Sequence, residues 1–200
     1  DLLDFETTPS YTFTVQVTDG GTPGLTATAT ITINVLDVNE APTLNDISFS
    51  IPENSSVGTT VGTITGSDVD AGANGTLTYS ITGGNESGAF EINPTTGEIT
   101  VIDPTSLDFE TTPTFTLTVT VSDAGSPSLT ASATVTINLT DVNEAPIANS
   151  PQAFTVAENA SNGTSLGSIV ASDPDAGSNG TLSFAITGGN DAGIFAINAN

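Results

Sequence analysis

The sequence Asp37-Val-Asn-Glu-Ala-Pro42 returns unchanged as Asp141-Val-Asn-Glu-Ala-Pro146, 104 residues later. Each copy follows one stretch of alternating strand-forming residues and precedes the next. The proline that ends each copy pushes the residue before it towards an extended conformation. The carboxylates, the Asn amide and the backbone carbonyls of each copy are hard oxygen ligands of the kind that calcium binds. We therefore interpret this segment as an interdomain linker that calcium stiffens.

Other motifs recur after 104 or 105 residues and divide the chain into three pieces. Leu3-Asp-Phe-Glu-Thr-Thr-Pro9 recurs at residues 107–113, and Asp68-Val-Asp70 recurs as Asp173-Pro-Asp175. A fixed period of this length predicts tandem domains. The predicted pieces are the back part of one repeat, a complete repeat and the front part of a third, at residues 1–41, 42–145 and 146–200. Neither outer piece is expected to bury a core alone.

Alternation of polar and apolar residues predicts β-strands along the whole chain. In the first piece, residues 11–17 and 26–35 alternate on either side of a Gly-Pro turn. The complete repeat has seven such segments, at 47–51, 61–66, 76–81, 89–92, 98–102, 114–121 and 130–139. Short strands with turn signals between them predict an all-β fold, with seven-stranded Greek-key β-sandwiches of the immunoglobulin-like type in an elongated array. The third piece is expected to repeat the first four strands.

The chain is strongly acidic and carries no basic residue. It contains 23 Asp and Glu residues and no Lys, Arg or His, so its formal net charge is −23. Such a chain repels nucleic acid and anionic membrane surfaces, and no apolar run approaches the ~20 residues of a membrane span. We therefore expect neither nucleic acid binding nor direct membrane insertion. Without Cys the chain forms no disulfides, and metal is left as the means of holding domains together.

Five motifs occur in the order in which they occur in cadherin repeats, and Asp123 after a late strand completes the set. The motifs are Pro52-Glu-Asn54, Asp68-Val-Asp70 with Asn74-Gly75, Asn93-Pro-Thr-Thr-Gly-Glu-Ile99, Leu107-Asp-Phe-Glu110 and the linker 141–146. Over its whole length the chain therefore resembles the cadherin family. The resemblance implies calcium-binding extracellular cadherin domains with about two to three calcium ions at each junction. The complete lack of basic residues suggests a bacterial surface protein.

The resemblance also implies a set of calcium ligands at each of two junctions, drawn from the upstream repeat, the linker and the downstream repeat. At the first junction the implied side chains are Asp4, Glu6, Asp37, Asn39, Glu40, Asp68, Asp70 and Asp123, and the implied carbonyls are Val38, Ala41 and Asn74. At the second junction the side chains are Glu53, Asp108, Glu110, Asp141, Asn143, Glu144, Asp173 and Asp175, and the carbonyls are Val142, Ala145 and Asn179. Asp19 and Glu158 are implied ligands of the next junctions upstream and downstream.

The linker departs from the Asp-x-Asn-Asp-Asn pattern of many cadherins at two positions. Glu40 and Glu144 stand at the fourth position, and Ala41 and Ala145 stand at the fifth. The fifth residue is expected to coordinate through its carbonyl, so Ala loses little there. The longer Glu keeps the charge, but it is expected to change how the fourth position bridges two ions.

Repulsion among these carboxylates favours a bound metal. Two like charges ~4 Å apart repel by ~4 kcal/mol at an effective dielectric constant near 20. Because the chain has no cationic side chain, a metal is the plausible compensation, and calcium suits ligands that are numerous, flexible and partly bidentate. Turn chemistry alone explains any single Asp-x-Asp, since Asp is common in turns, but it does not explain the whole repeated set.

These observations predict a structural function rather than catalysis. We expect a calcium-stiffened segment of an extracellular adhesin, stalk or surface filament that supports cell adhesion. Its expected partners are neighbouring repeats, other copies of itself, or a cell-surface or glycan ligand. An enzyme is not expected, because no His, Cys or Lys is present for acid–base or nucleophilic catalysis. The alternative is a module that binds carbohydrate or ice on the Thr ladders at 26–32 and 114–120, although solvent-facing β-propensity also explains those ladders.

Overall fold

The computed structural model describes residues 3–198, and it begins with an antiparallel hairpin. Strands β1 (Ser10–Thr18) and β2 (Thr26–Asn34) pair along their whole length. Their bounds agree with the predicted segments at 11–17 and 26–35. Apolar side chains such as Phe13 and Ile33 remain about half exposed. This hairpin therefore has no second sheet against it within the described residues.

Seven strands form a two-sheet sandwich in the middle of the chain. In chain order they are β3 (Ile47–Pro52), β4 (Thr60–Thr63), β5 (Thr78–Gly83), β6 (Phe90–Ile92), β7 (Glu98–Val101), β8 (Thr114–Ser122) and β9 (Thr130–Thr140). One sheet has the order β3-β9-β8-β5 and the other has the order β4-β7-β6. Strand β3 is parallel to β9, and the other neighbouring strands are antiparallel. The predicted all-β, immunoglobulin-like sandwich is thereby confirmed.

The core lies between the two sheets because polar and apolar residues alternate along each strand. In β8, Leu117, Val119 and Val121 are fully buried, whereas the intervening Thr residues face outwards. Phe90 of β6 packs edge-on against Phe115 of β8, with ring centroids 5.1 Å apart. A one-residue slip would turn each of these side chains to solvent, so the core fixes the strand register.

The Thr ladders lie on the outer faces of the sheets. The hydroxyl of Thr120 lies 2.8 Å from that of Ser132 and 2.9 Å from that of Thr82, across two pairs of neighbouring strands. In the first hairpin the hydroxyls of Thr12 and Thr32 are 3.5 Å apart. These side chains therefore satisfy part of one another's hydrogen-bonding capacity, as is usual for cross-strand Thr pairs.

The final piece contains less regular strand than expected. The prediction of four strands there is wrong for the residues up to 198, which form only β10 (Ile147–Ala148) and β11 (Ala171–Ser172). In the middle sandwich, β3 and β5 hydrogen-bond to β9 and β8. Within residues 3–198, the final piece has no counterparts of those two partner strands. Throughout residues 3–198, no helix has the length and apolar character needed to span a membrane.

Candidate metal centre

The loop between β8 and β9 receives Asn39 of the first linker. Asp123 begins this loop, and its Oδ1 accepts hydrogen bonds from the N–H groups of Gly125 (3.1 Å) and Leu129 (2.9 Å). Asn39 Nδ2 donates to Asp123 Oδ2 at 2.9 Å and to the Pro127 carbonyl at 3.1 Å. Gly125 is required here, because a Cβ atom would overlap the Asn39 amide group. Within residues 3–198, Asn39 Oδ1 is left buried without a hydrogen-bond partner.

Asp123 stays ionised although it is 5% exposed. Burial opposes its charge, but hydrogen bonds from the Leu129 N–H, the Asn39 amide and the Gly125 N–H hold its pKa below the ordinary value. Hydrogen bonds to the charged form of a carboxyl lower its pKa in this way. The loop therefore presents a carboxylate, not a carboxylic acid, to the linker.

The Asp-x-Asp loop of the sandwich presents two more carboxylates to the first linker. Asp70 is 7% exposed, its N–H donates to Asp68 Oδ1 at 3.0 Å, and its Oδ2 accepts from the Glu40 N–H at 2.9 Å. Gly75 closes the loop, because a Cβ atom there would overlap the Asp70 carbonyl. In the described chain, Asp68 Oδ2 and Asp70 Oδ1 are buried and have no hydrogen-bond partner. Buried carboxylate oxygens without partners are costly.

Carboxylates from three segments converge at the first junction. Oxygen atoms of Glu6, Asp37, Glu40 and Asp70 lie within 4.8 Å of one another. Glu6 comes from the segment before β1, Asp37 and Glu40 from the linker, and Asp70 from the sandwich. The pKa of Glu40 is raised, first by desolvation and then by the charges of Glu6, Asp70 and Asp37. The structure thus brings together four of the residues that the sequence predicted as ligands.

The second junction has an equivalent arrangement around Glu53. Oxygen atoms of Glu53, Glu110 and Asp141 lie within 4.8 Å of one another. Glu53 is 3% exposed, and its two oxygens accept the N–H groups of Val142 (2.8 Å) and Phe109 (2.6 Å). This buried side chain therefore ties the second linker to the Leu107-Asp-Phe-Glu110 motif of the sandwich.

The Asp173-Pro-Asp175 loop repeats the hydrogen bonds of its upstream counterpart. The Asp175 N–H donates to Asp173 Oδ1 at 3.1 Å, and the Glu144 N–H donates to Asp175 Oδ2 at 2.9 Å. Asp175 is 7% exposed. As far as the structure describes the chain, Asp175 Oδ1 and Glu144 Oε2 are buried without partners. Desolvation raises the pKa of Glu144, and the charges of Glu53 and Asp175 raise it further.

The remaining predicted side chains have local partners. Both oxygens of Asp4 accept from Thr7, at 2.9 Å each, and both oxygens of Asp108 accept from Thr111, at 2.9 and 3.0 Å. These exposed carboxylates close turns and do not belong to either converging group. Their role as ligands stays a prediction, as does that of Asn143 and of the backbone carbonyls.

Sequence analysis missed one residue that contacts this centre. Asn54 Nδ2 donates to Glu144 Oε1 at 2.6 Å, although the two residues are 90 positions apart. Asn54 also has a left-handed backbone, with φ at 56°. Its position in the Pro52-Glu-Asn54 motif was the available signal, but local sequence does not reveal a partner so distant.

The donor set of each junction fits a calcium ion. Calcium takes six to eight oxygen ligands in flexible geometry, from carboxylates, amide oxygens and carbonyls. Asp70 Oδ1 and Asp175 Oδ1 are buried oxygens with no protein partner among residues 3–198. The whole sequence contains no Lys, Arg or His to neutralise them. A divalent cation would complete these donor sets and offset the repulsion within them.

The fold and the junctions define a class of protein, namely tandem β-sandwiches joined by acidic linkers. Carboxylates of the linkers lie together with carboxylates of the repeats on either side. The Cadherin domain family model matches residues 47–140 and 152–200. Human protocadherin Fat 4 is 39% identical over 189 residues, which are 92% of this chain and 4% of that protein. The chain belongs to the cadherin family.

Solved structures support the same assignment. The crystal structure of mouse cadherin-23 EC22–24 has a TM-score of 0.75 and 32% identity, and the match covers 90% of this chain and 59% of that one. The protocadherin gammaB7 EC3–6 cis-dimer structure has a TM-score of 0.74 and 31% identity over 98% of this chain and 50% of that one. The predicted family resemblance and the extracellular, cell-surface setting are confirmed.

The chain spans only a small part of its curated relatives. It matches 4% of human protocadherin Fat 4 and 6% of the Drosophila melanogaster protocadherin-like wing polarity protein stan, to which it is 39% identical. These relatives are animal proteins, and they give no support to the expectation of a bacterial source. What the comparisons establish is an extracellular adhesion repeat.

Proposed function

We propose that this chain is a calcium-stiffened segment of an extracellular adhesion protein, with calcium bound at both junctions. The observation that carries the proposal is the repeated state of Asp70 and Asp175. Each is 7% exposed, and one of its oxygens accepts a hydrogen bond from a linker N–H, that of Glu40 or Glu144. The second oxygen of each is buried without a partner in the described structure. An acidic chain would not be expected to bury the same unpaired oxygen twice unless a cation completed it.

Stiffening follows from where the carboxylates originate. At the first junction, Glu6 precedes the linker, Asp37 lies within it and Asp70 follows it, so one cation would touch three independently placed segments. Rotation of one repeat against the next would break several calcium–oxygen contacts at once. Without the cation, the same groups repel each other by ~4 kcal/mol per pair at ~4 Å and an effective dielectric constant near 20. The junction is then expected to open and bend.

The proposed ligands are those that the family resemblance implies, with about two to three ions at each junction. The proposed domain limits are 1–41, 42–145 and 146–200, which place each linker at the end of one repeat and the start of the next. Converging groups are found for Glu6, Asp37, Glu40 and Asp70, and for Glu53, Glu110 and Asp141. These seven residues are the ones on which tests of the ligand set should concentrate.

The partner is proposed to be another copy of the protein or a different cell-surface molecule. One relative, protocadherin gammaB7, is described as a cis-dimer. Two copies of the present chain cannot form direct ion pairs with each other, because neither has a basic residue. Contacts between copies would therefore use neutral surfaces or calcium. The carbohydrate or ice alternative stays a prediction, and the mutual hydrogen bonds of Thr120, Ser132 and Thr82 do not favour it.

Small-angle X-ray scattering tests the proposal directly. We expect an extended, rod-like profile in millimolar calcium and a broader distribution of dimensions after chelation. Magnesium at the same concentration is the control for general charge screening, because it prefers a smaller, stricter octahedral site. Scattering profiles that are identical with calcium and with chelator would refute calcium-controlled stiffening.

A further inference from the structure

Asn54 connects the end of strand β3 to the second linker. It follows the buried Glu53 and has a left-handed backbone, with φ at 56°. This conformation turns its side chain towards the linker, where Nδ2 donates to Glu144 Oε1 at 2.6 Å. The bond joins a neutral donor to a carboxylate, and charge-assisted bonds of this kind are short and strong.

Glu144 is consequently held from two sides. Its N–H donates to Asp175 Oδ2 at 2.9 Å in the downstream loop, and its Oε1 accepts from Asn54 in the upstream sandwich. Its other oxygen, Oε2, is buried and has no hydrogen-bond partner in the part of the chain that the structure describes. One oxygen of the carboxylate therefore accepts a hydrogen bond from Asn54, and the other is buried without a protein partner among the described residues.

Glu40, which occupies the position of Glu144 at the first junction, lies differently. There, Glu40 joins Glu6, Asp37 and Asp70 in one group of oxygens within 4.8 Å, whereas Glu144 is not a member of the group around Glu53.

We infer that Asn54 is a positioning residue for calcium at the second junction, an inference that rests on the proposed function. It would hold Glu144 through Oε1, so that Oε2, which has no protein partner in the described residues, is the oxygen left for an ion. The longer side chain explains the need, since Glu has one more rotatable bond than Asp and loses more conformational entropy when it binds an ion. Partners that orient a metal ligand through a hydrogen bond are a general feature of metal sites.

A purely conformational role for Asn54 makes a different prediction. Asn is favoured at positive φ, but Gly adopts this region without a steric penalty. If Asn54 served only the backbone, Asn54→Gly would leave calcium binding unchanged. If it positions Glu144, the same substitution would weaken binding at the second junction while the fold remains intact.

Nuclear magnetic resonance can resolve the two junctions separately in the whole chain. Calcium would be titrated while the amide signals of Val142 and Glu144 report on the second junction and that of Glu40 reports on the first. For Asn54→Gly we expect an affinity about 10-fold weaker at the second junction, as for loss of an outer partner of a metal ligand. The first junction and the signals of core residues such as Leu117 should not change.

Two further variants sharpen the test. Asn159→Gly is the matched control, because Asn159 follows Glu158 as Asn54 follows Glu53, and it should leave both junctions unchanged. Glu144→Asp shortens the linker side chain and removes its reach to Asn54. In that background Asn54→Gly should have no further effect, which identifies direct coupling between the two positions.

The outcomes separate this inference from the function on which it rests. Calcium-dependent shifts at both junctions, with equal affinities in Asn54→Gly and the unsubstituted chain, would overturn the positioning role alone. An additive effect of Asn54→Gly in the Glu144→Asp background would overturn it as well. No calcium-dependent shift at either junction would overturn both the positioning role and the proposed function.

Discussion

Substituting Asp70 by Asn should change the stability of the folded chain in opposite directions in calcium and in chelator. Asn keeps the shape of the side chain and can still accept the Glu40 N–H, but it removes a carboxylate that lies within 4.8 Å of oxygens of Glu6, Asp37 and Glu40. In chelator the variant should be at least as stable as the unsubstituted chain, because one repelling charge is gone. In calcium it should be less stable, because a buried ligand is lost.

The size of the calcium effect follows from linkage. At free calcium 100 times the dissociation constant, binding stabilises the folded junction by ~2.7 kcal/mol. Loss of a direct ligand is expected to cost ~100-fold in affinity, the upper end of the range of about 10–100-fold for outer partners of metal sites. The free calcium concentration would then be close to the variant's dissociation constant, and binding would stabilise the folded junction by only ~0.4 kcal/mol. For a domain of ~100 residues, the difference lowers the melting temperature in calcium by ~10 °C.

Calorimetry measures the change in melting temperature in calcium and in chelator. Glu98→Gln is the control: it removes one negative charge from the same sandwich, at a residue outside the converging groups, and it should shift neither melting temperature appreciably. An Asp70→Asn variant that keeps the full calcium-induced rise in melting temperature would show that Asp70 is not a ligand. A variant destabilised equally in both conditions would show that the residue serves the fold alone.

Four other perturbations test separate parts of the structure. Asp141→Ala should weaken calcium binding at the second junction and leave the first nearly unchanged, as followed by calorimetric titration; unchanged stoichiometry and affinity would contradict the ligand assignment. Gly125→Ala should displace Asn39 from the β8–β9 loop and lower the free energy of unfolding in urea by about 1–3 kcal/mol. Gly21→Ala, in the equivalent loop between β1 and β2, should lower it by less. Leu117→Ala should lower the free energy of unfolding by ~2–5 kcal/mol, because it removes a fully buried side chain. Thr118→Ala, at the neighbouring exposed position, is its control, and comparable losses in the two variants would argue against the observed register. In metal-free buffer, lowering the pH from 7 towards 4.5 should stabilise the fold through Glu40 and Glu144, because their raised pKa lets the folded chain bind protons before the unfolded chain does. A melting temperature that only decreases as the pH is lowered would count against the predicted crowding of carboxylates.

The sandwich could be predicted from sequence because its signals are local. Alternation located β8 at 114–121 against an observed Thr114–Ser122, and β9 at 130–139 against Thr130–Thr140. Strand β4 was placed at 61–66 but ends at Thr63, where the Ile64 N–H turns to the Gly97 carbonyl. The final piece was mispredicted because alternation does not show whether a segment has a strand to pair with, and within residues 3–198 only β10 and β11 pair there.

The site was predicted as a set of residues but not as a geometry. Repetition and motif order identified Glu6, Asp37, Glu40 and Asp70, which converge in the structure. They could not show that Asp108 closes a turn with Thr111, or that Asn54 contacts Glu144 across 90 residues. The contact between Asn54 and Glu144 depends on how the linker lies against the sandwich, which the local pattern does not encode.

The parallel pairing of β3 with β9 determines how the sandwich carries tension. Because the first and last strands run in the same direction, the chain enters the sandwich at one end and leaves at the other. Pulling on the array therefore draws Ile47–Pro52 and Val135–Thr140 in opposite directions along their common axis. Their hydrogen bonds lie across this axis and are loaded together in shear, whereas a hairpin pulled from one end opens one bond at a time. The strand order thus makes the sandwich of residues 47–140 a force-bearing link.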